Sequence, residues 1–122
     1  MDENYEALID HYKNPRNYGV LLSPTSSAEV QNLSCGDKIT FYIKISKKIV
    51  TESKFSGEGC SVALGVASFL AEFSENKSLE LLSSLKLEDI ENKLGINFSL
   101  SRKKCAIVSL EALAAAIAKI KK

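Results

Sequence analysis

Nothing in the 122-residue sequence approaches the roughly 20 consecutive apolar residues that cross a bilayer, so no membrane partner is expected. Neither sign of charge dominates: 16 basic residues stand against 15 acidic ones, a net charge of +1. That balance gives no support for nucleic acid or an anionic surface as a partner. There are no internal repeats and no low-complexity tract. The opening residues, MDENYEALIDHY, are acidic and amphipathic, unlike a secretory signal, so the expected location is cytoplasmic. Histidine occurs once, as His11, and cysteine three times, as Cys35, Cys60 and Cys105. An odd number of thiols without an export signal argues against a disulfide framework. The intervals of 24 and 44 residues between them match no zinc-finger spacing. From spacing alone, three scattered cysteines read as small buried hydrophobes.

What is present is an ordinary globular composition, 45% hydrophobic and 25% charged, of a length that suits one domain over residues 1–122. Tyr5, Leu8, Ile9 and Tyr12 recur at helical spacing, with Asp2 or Asn4 as candidate caps and Pro15 as the stop. NPRNYG then turns, and a short edge strand is expected near Ala28–Gln31. Ile39, Phe41, Ile43 and Ile45 alternate with polar residues, and Ile49, Thr51, Ser53 and Phe55 continue that period after Lys47-Lys48. This is a β-hairpin, although Lys-Lys is a poor match to the preferred turn residues. Beyond Cys60, the residues Val62, Val66, Phe69, Leu70 and Phe73 share one face of a helix. Two short helices follow, around Ser78-Leu79-Glu80 and over Lys86–Leu94, the second ended by Gly95. Residues 96–101 read as a loop. A long helix starts at Lys103, with Ile107, Leu110, Leu113, Ala114, Ile117 and Ile120 inward. Helix, small antiparallel sheet, then several helices make an α+β domain.

Each cysteine falls at an element boundary. Cys35 lies in the bend before the hairpin, Cys60 follows the last strand and opens a helix, and Cys105 is placed in the first turn of the C-terminal helix. Helix starts stabilise anions, so Cys60 and Cys105 are expected to titrate below the free value of about 8.5, helped at Cys105 by Lys103 and Lys104. Gly57 and Gly59 loosen the backbone before Cys60, and Ala63, Gly65, Ala67 and Ser68 after it describe a closely packed helix. Asp37, two residues from Cys35, has two readings: a fourth ligand that completes a tetrahedral zinc or iron–sulfur site, or an Asx-type turn with Gly36. His11 reads as a packing or partner-contact residue rather than a ligand. The run Arg102-Lys103-Lys104 reads as thiolate-activating or partner-docking, against a merely solvated helix start.

Four blocks, LIDHYKNPRNYG (8–19), NLSCGDKITFYIKI (32–45), GEGCSVALGVAS (57–68) and RKKCAIVSLEAL (102–113), resemble in order the signature blocks of the NifU N-terminal-domain family, the IscU and SufU iron–sulfur cluster assembly scaffolds. The resemblance spans almost the whole chain. It implies a three-stranded antiparallel sheet with helices packed on it. It also implies that Cys35, Asp37, Cys60 and Cys105 converge at one exposed end to bind zinc or ferrous iron and a transient [2Fe–2S] cluster. A cysteine desulfurase would deliver persulfide sulfur, with Cys35 or Cys105 as first acceptor, and apo iron–sulfur proteins would receive the product. Such a protein is a scaffold rather than a true enzyme, at most a sulfurtransferase-type relay. Lys104 stands where IscU proteins carry histidine, and with Arg102 it resembles SufU. The short interval between Cys60 and Cys105 resembles IscU, since SufU carries an insertion there. Ser99-Leu100-Ser101-Arg102 replaces the Pro-Pro-Val-Lys-like stretch that a dedicated Hsp70 recognises, which speaks against that partner. The balance leans to SufU. Two other readings remain: a zinc-dependent sulfurtransferase that never holds a cluster, and a structural zinc domain that binds a protein partner.

Overall fold

A computed structural model describes residues 5–32 and 36–120. In chain order the elements are α1 (Tyr5–Lys13), β1 (Ser26–Asn32), β2 (Asp37–Ser46), β3 (Ile49–Glu58), α2 (Ser61–Ser74), α3 (Leu79–Ser83), α4 (Leu87–Leu94) and α5 (Leu100–Ile120). The strands form an antiparallel sheet in the order β1-β2-β3. The expected caps Asp2 and Asn4 lie outside the described residues.

The alternation in β2 decides which way the sheet faces. Ile39, Phe41 and Ile43 are fully buried, while Lys38, Thr40, Tyr42 and Lys44 are half-buried on the opposite face. Phe41 sits opposite Phe55 on β3 and opposite Ala28 on β1, so one row of apolar side chains crosses all three strands. Helices α2 and α5 cover that row, and α1 packs against α2. Asp37 belongs to the same inward row, two residues before Ile39, and is fully buried at its end.

The hairpin forms despite its turn residues. Lys47 and Lys48 both adopt positive φ, 53° and 66°, as a two-residue turn with the twist of its strands requires. The register then slips between Lys44 and Ile45: Lys44 pairs with Glu52 but Ile45 with Val50. Thr51 is the extra residue, and its hydroxyl donates to the Lys44 carbonyl at 3.1 Å. The bulge reverses the expected period, burying Val50 and leaving Thr51 exposed.

Small residues set how closely the helices approach. A Cβ on Gly65 would lie 2.7 Å from Leu8 Cδ1 and 2.9 Å from the Leu8 carbonyl oxygen, so α1 can meet α2 only at a glycine. Ser109 on α5 donates to the Ala63 carbonyl of α2 at 2.6 Å. This contact turns α5 from its expected phase: Ala106, Ser109, Ala112, Leu113, Ala116 and Ile117 face inward, whereas Ile107 is 38% exposed and Ala114 is exposed. On α2, Val62, Val66 and Leu70 are buried as expected, while Phe69 and Phe73 are half-buried and stack on each other at 5.7 Å. Gly95 ends α4 in the left-handed conformation, as its position suggests. Among the described residues no helix is long and apolar enough to cross a membrane.

Candidate metal centre

The end of the inward row on β2, the start of α2 and the second turn of α5 meet at one place. Their residues there are Asp37, Cys60 and Cys105, whose ligand atoms all lie within 4.8 Å of one another. Cys60 is exposed, Cys105 partly exposed, and neither forms a disulfide.

Cys60 is the N-cap of α2, with extended backbone, and its Sγ accepts from the Ala63 N–H at 3.5 Å. Its own N–H donates to Asp37 Oδ1 at 3.0 Å. The turn that brings it there depends on two glycines. Gly57 and Gly59 have φ of 151° and 157°. A Cβ on Gly57 would lie 2.1 Å from the Lys38 carbonyl oxygen, and one on Gly59 would lie 2.5 Å from Asp37 Oδ1. The glycine-rich bend therefore lets backbone close onto a carboxylate, a reason that spacing in the sequence does not reveal.

Asp37 does not spend its carboxylate on a local Asx turn; Oδ1 reaches across to Cys60. Its Oδ2 is buried without a hydrogen-bond partner among the described residues. A lone buried carboxylate oxygen is costly unless something cationic or protic meets it.

Cys105 is the sixth residue of α5, because that helix starts at Leu100 rather than Lys103. It sits past the first turn, where the helix end favours anions most. The expected lowering of its thiol is not found. Burial pushes the Cys105 thiol well up, and the Cys60 thiol and Asp37 carboxyl facing it push the same way. Arg102 is turned elsewhere, its guanidinium 4.8 Å above the Tyr5 ring.

The donor set fits a divalent metal. Three acidic groups face one another, one buried oxygen is unpartnered, and a bound cation would stabilise both thiolates while meeting Oδ2. Tetrahedral zinc sets its ligand atoms about 3.5–3.8 Å apart, so the trio needs to close by no more than about 1 Å. Cys35 lies outside the described residues. His11 is not near a ligand role: it is buried, with Nδ1 2.8 Å from Ser68 Oγ and its ring edge-on to Phe69.

A zinc-dependent sulfurtransferase SufU from Bacillus subtilis is 34% identical, with 93% of this chain and 88% of that protein covered. An iron–sulfur cluster assembly scaffold protein IscU from Aquifex aeolicus is 32% identical, over 94% and 74% respectively. The Bacillus alignment runs over 131 positions, more than the 122 residues of this chain, so residues of that relative stand opposite gaps here; the Aquifex alignment needs 117. A crystal structure of the N-terminal part of a nitrogen-fixing NifU-like protein from Brucella abortus shares the fold, with a TM-score of 0.77 at 18% identity over 95% of this chain and 92% of that one. Residues 3–122 match the family model described as the NifU-like N terminal domain. With the sheet, the covering helices and the Asp–Cys–Cys trio all in place, the chain belongs to the NifU-like N-terminal domain family.

Proposed function

We propose that this chain is an iron–sulfur cluster assembly scaffold that accepts sulfur from a cysteine desulfurase and passes assembled cluster to apo iron–sulfur proteins. One observation carries the reading: the buried Asp37 carboxylate has one oxygen on the Cys60 N–H, the other without a partner among the described residues, and two cysteine sulfurs beside it. Cys35 is the proposed fourth ligand. It is two residues from Asp37, so their Cα atoms cannot be more than about 7 Å apart. The metal, zinc or ferrous iron, would keep the thiols deprotonated.

The chain's own residues divide the work. Cys60 and Cys105 offer soft sulfur donors at an opening to solvent. Asp37 offers a harder oxygen donor, less suited to retaining an iron–sulfur unit, so the site has a weak corner from which cargo can leave. In sulfur transfer a thiolate of Cys35 or Cys105 attacks the outer sulfur of the desulfurase persulfide. A new S–S bond forms, the old one breaks, and the electron pair leaves on the desulfurase cysteine. Reduction of that sulfur to sulfide needs an external electron donor.

A second reading, a zinc-dependent sulfur relay that holds no cluster, is favoured by Lys104 before Cys105 and by the similarity to the Bacillus sulfurtransferase. Anaerobic reconstitution with iron, cysteine, a desulfurase and a dithiol reductant as the electron donor, with metal analysis before and after, separates the two. A visible chromophore with iron bound supports the scaffold. Retained stoichiometric zinc, no chromophore and faster desulfurase turnover support the relay. Unfolding on chelation with no persulfide on any cysteine would overturn both in favour of a structural zinc domain.

A further inference from the structure

The block at residues 14–19 contains no metal donor, yet Arg16, Asn17, Tyr18 and Gly19 are each engaged. The Arg16 N–H donates to Ser68 Oγ at 2.8 Å. Asn17 stands at φ 59°, donates its amide to the Ala71 carbonyl at 3.3 Å, and accepts from the Phe55 N–H at 3.0 Å. The Gly19 N–H returns to the Phe55 carbonyl at 2.8 Å. The segment is thus a strap laid beside β3 as a short parallel bridge, Tyr18 opposite Phe55, and tied to α2. The Tyr18 side chain reaches further. Its ring meets Phe55 edge to face at 5.1 Å, and its hydroxyl donates to the Gly57 carbonyl at 3.2 Å.

Gly57 is the penultimate residue of β3, opposite Ile39, and leads into the bend that delivers Cys60. With glycines at 57 and 59 in the left-handed half of conformational space, that stretch is permissive backbone. It must nevertheless hold the Cys60 N–H on Asp37 Oδ1. We infer that Tyr18 is a positioning residue for the Cys60 donor: its hydroxyl fixes the Gly57 carbonyl and so holds residues 57–60 in the conformation that sets Cys60 Sγ against Asp37 and Cys105. The consequence for metal binding rests on the reading of that trio as a metal site; the restraint on the turn does not. Tyr18 is 51% exposed, so the role runs through one hydrogen bond rather than through core packing.

Tyr18→Phe removes that bond and keeps the ring on Phe55. Amide hydrogen exchange of the metal-free chain, resolved by peptide, is the first measurement. Exchange over 57–61 should rise about threefold to tenfold, the factor one net hydrogen bond supplies, while peptides from α5 rise less and the melting temperature falls by only the few degrees that one bond accounts for. Zinc affinity, measured by chelator competition, should fall by a similar factor. Unchanged exchange over 57–61 would overturn the role. So would an equal rise across the whole chain, which marks lost global stability, or a raised local exchange with zinc affinity intact. If wild-type chain binds no zinc while local exchange still rises in Tyr18→Phe, the restraint on the turn stands and the metal reading falls.

Discussion

Asp37 holds two commitments at once, and both are testable by single substitutions. Its Oδ1 orders the Cys60 N–H, and its Oδ2 has no partner among the described residues. Asp37→Ala removes the hard corner of the donor set, so a reconstituted cluster should persist longer, read as slower decay of its visible absorbance. A shorter lifetime would count against the scaffold role of this residue. Gly59→Ala drives a methyl into the same carboxylate at a φ that side chains rarely adopt. It should cost roughly 2 kcal/mol or more in urea unfolding and lower the zinc bound per chain; a variant equal to wild type in both would contradict the close approach. At this scale the residue types were legible in the sequence, and so was the inward row Ile39, Phe41, Ile43; that Asp37 opens β2 and extends this row was not. The direction of the Cys105 thiol was not. It depends first on burial and then on two acidic neighbours brought from β2 and the start of α2, which no local pattern around Cys105 announces.

At the scale of elements, the hairpin shows where local preference was overruled. Lys47 and Lys48 both sit at positive φ, which side chains resist. Lys47→Asn with Lys48→Gly should therefore stabilise the chain by about 1 kcal/mol, read as a higher urea midpoint at unchanged slope. No gain would mean that the strands and the Leu79 N–H on the Lys48 carbonyl already set the turn. The contact between α1 and α2 gives a pH dependence. Burial, then the Arg16 charge, pushes the His11 imidazole below its usual 6.5, with Glu72 and Asp10 opposing. The unfolded chain then binds the proton more readily, so stability is full above 6.5 and is lost as pH falls through the folded value. His11→Gln should flatten that dependence between pH 7.5 and 5.5; an identical slope would place its origin elsewhere. Element existence was readable from periodicity, including the Gly95 stop. The Thr51 bulge and the phase of α5 were not: the first is a register slip between strands, and the second follows from Ser109 meeting Ala63.

For the molecule as a whole, the α+β order follows from the sequence because the hairpin and the helices carry their own periods, whereas the three-stranded sheet was pointed to by the resemblance, β1 showing little period of its own. The convergence of Asp37, Cys60 and Cys105 follows only once α2 and α5 are laid on the same sheet face, and the four motif blocks pointed to it by resemblance rather than by spacing. A metal that ties these elements together should stabilise the fold as a unit. With free zinc a thousandfold above its dissociation constant, the gain is about 4 kcal/mol, and chelation should lower the melting temperature by about 10–20 °C. The central claim is that Cys35, Asp37, Cys60 and Cys105 hold one ion. X-ray absorption at the zinc edge, on chain loaded anaerobically with one equivalent, tests it most directly. The account predicts three sulfur neighbours at about 2.3 Å and one oxygen at about 2.0 Å, with one sulfur lost in Cys35→Ser. Two or fewer sulfurs in wild-type chain, or an unchanged spectrum in that variant, would contradict it.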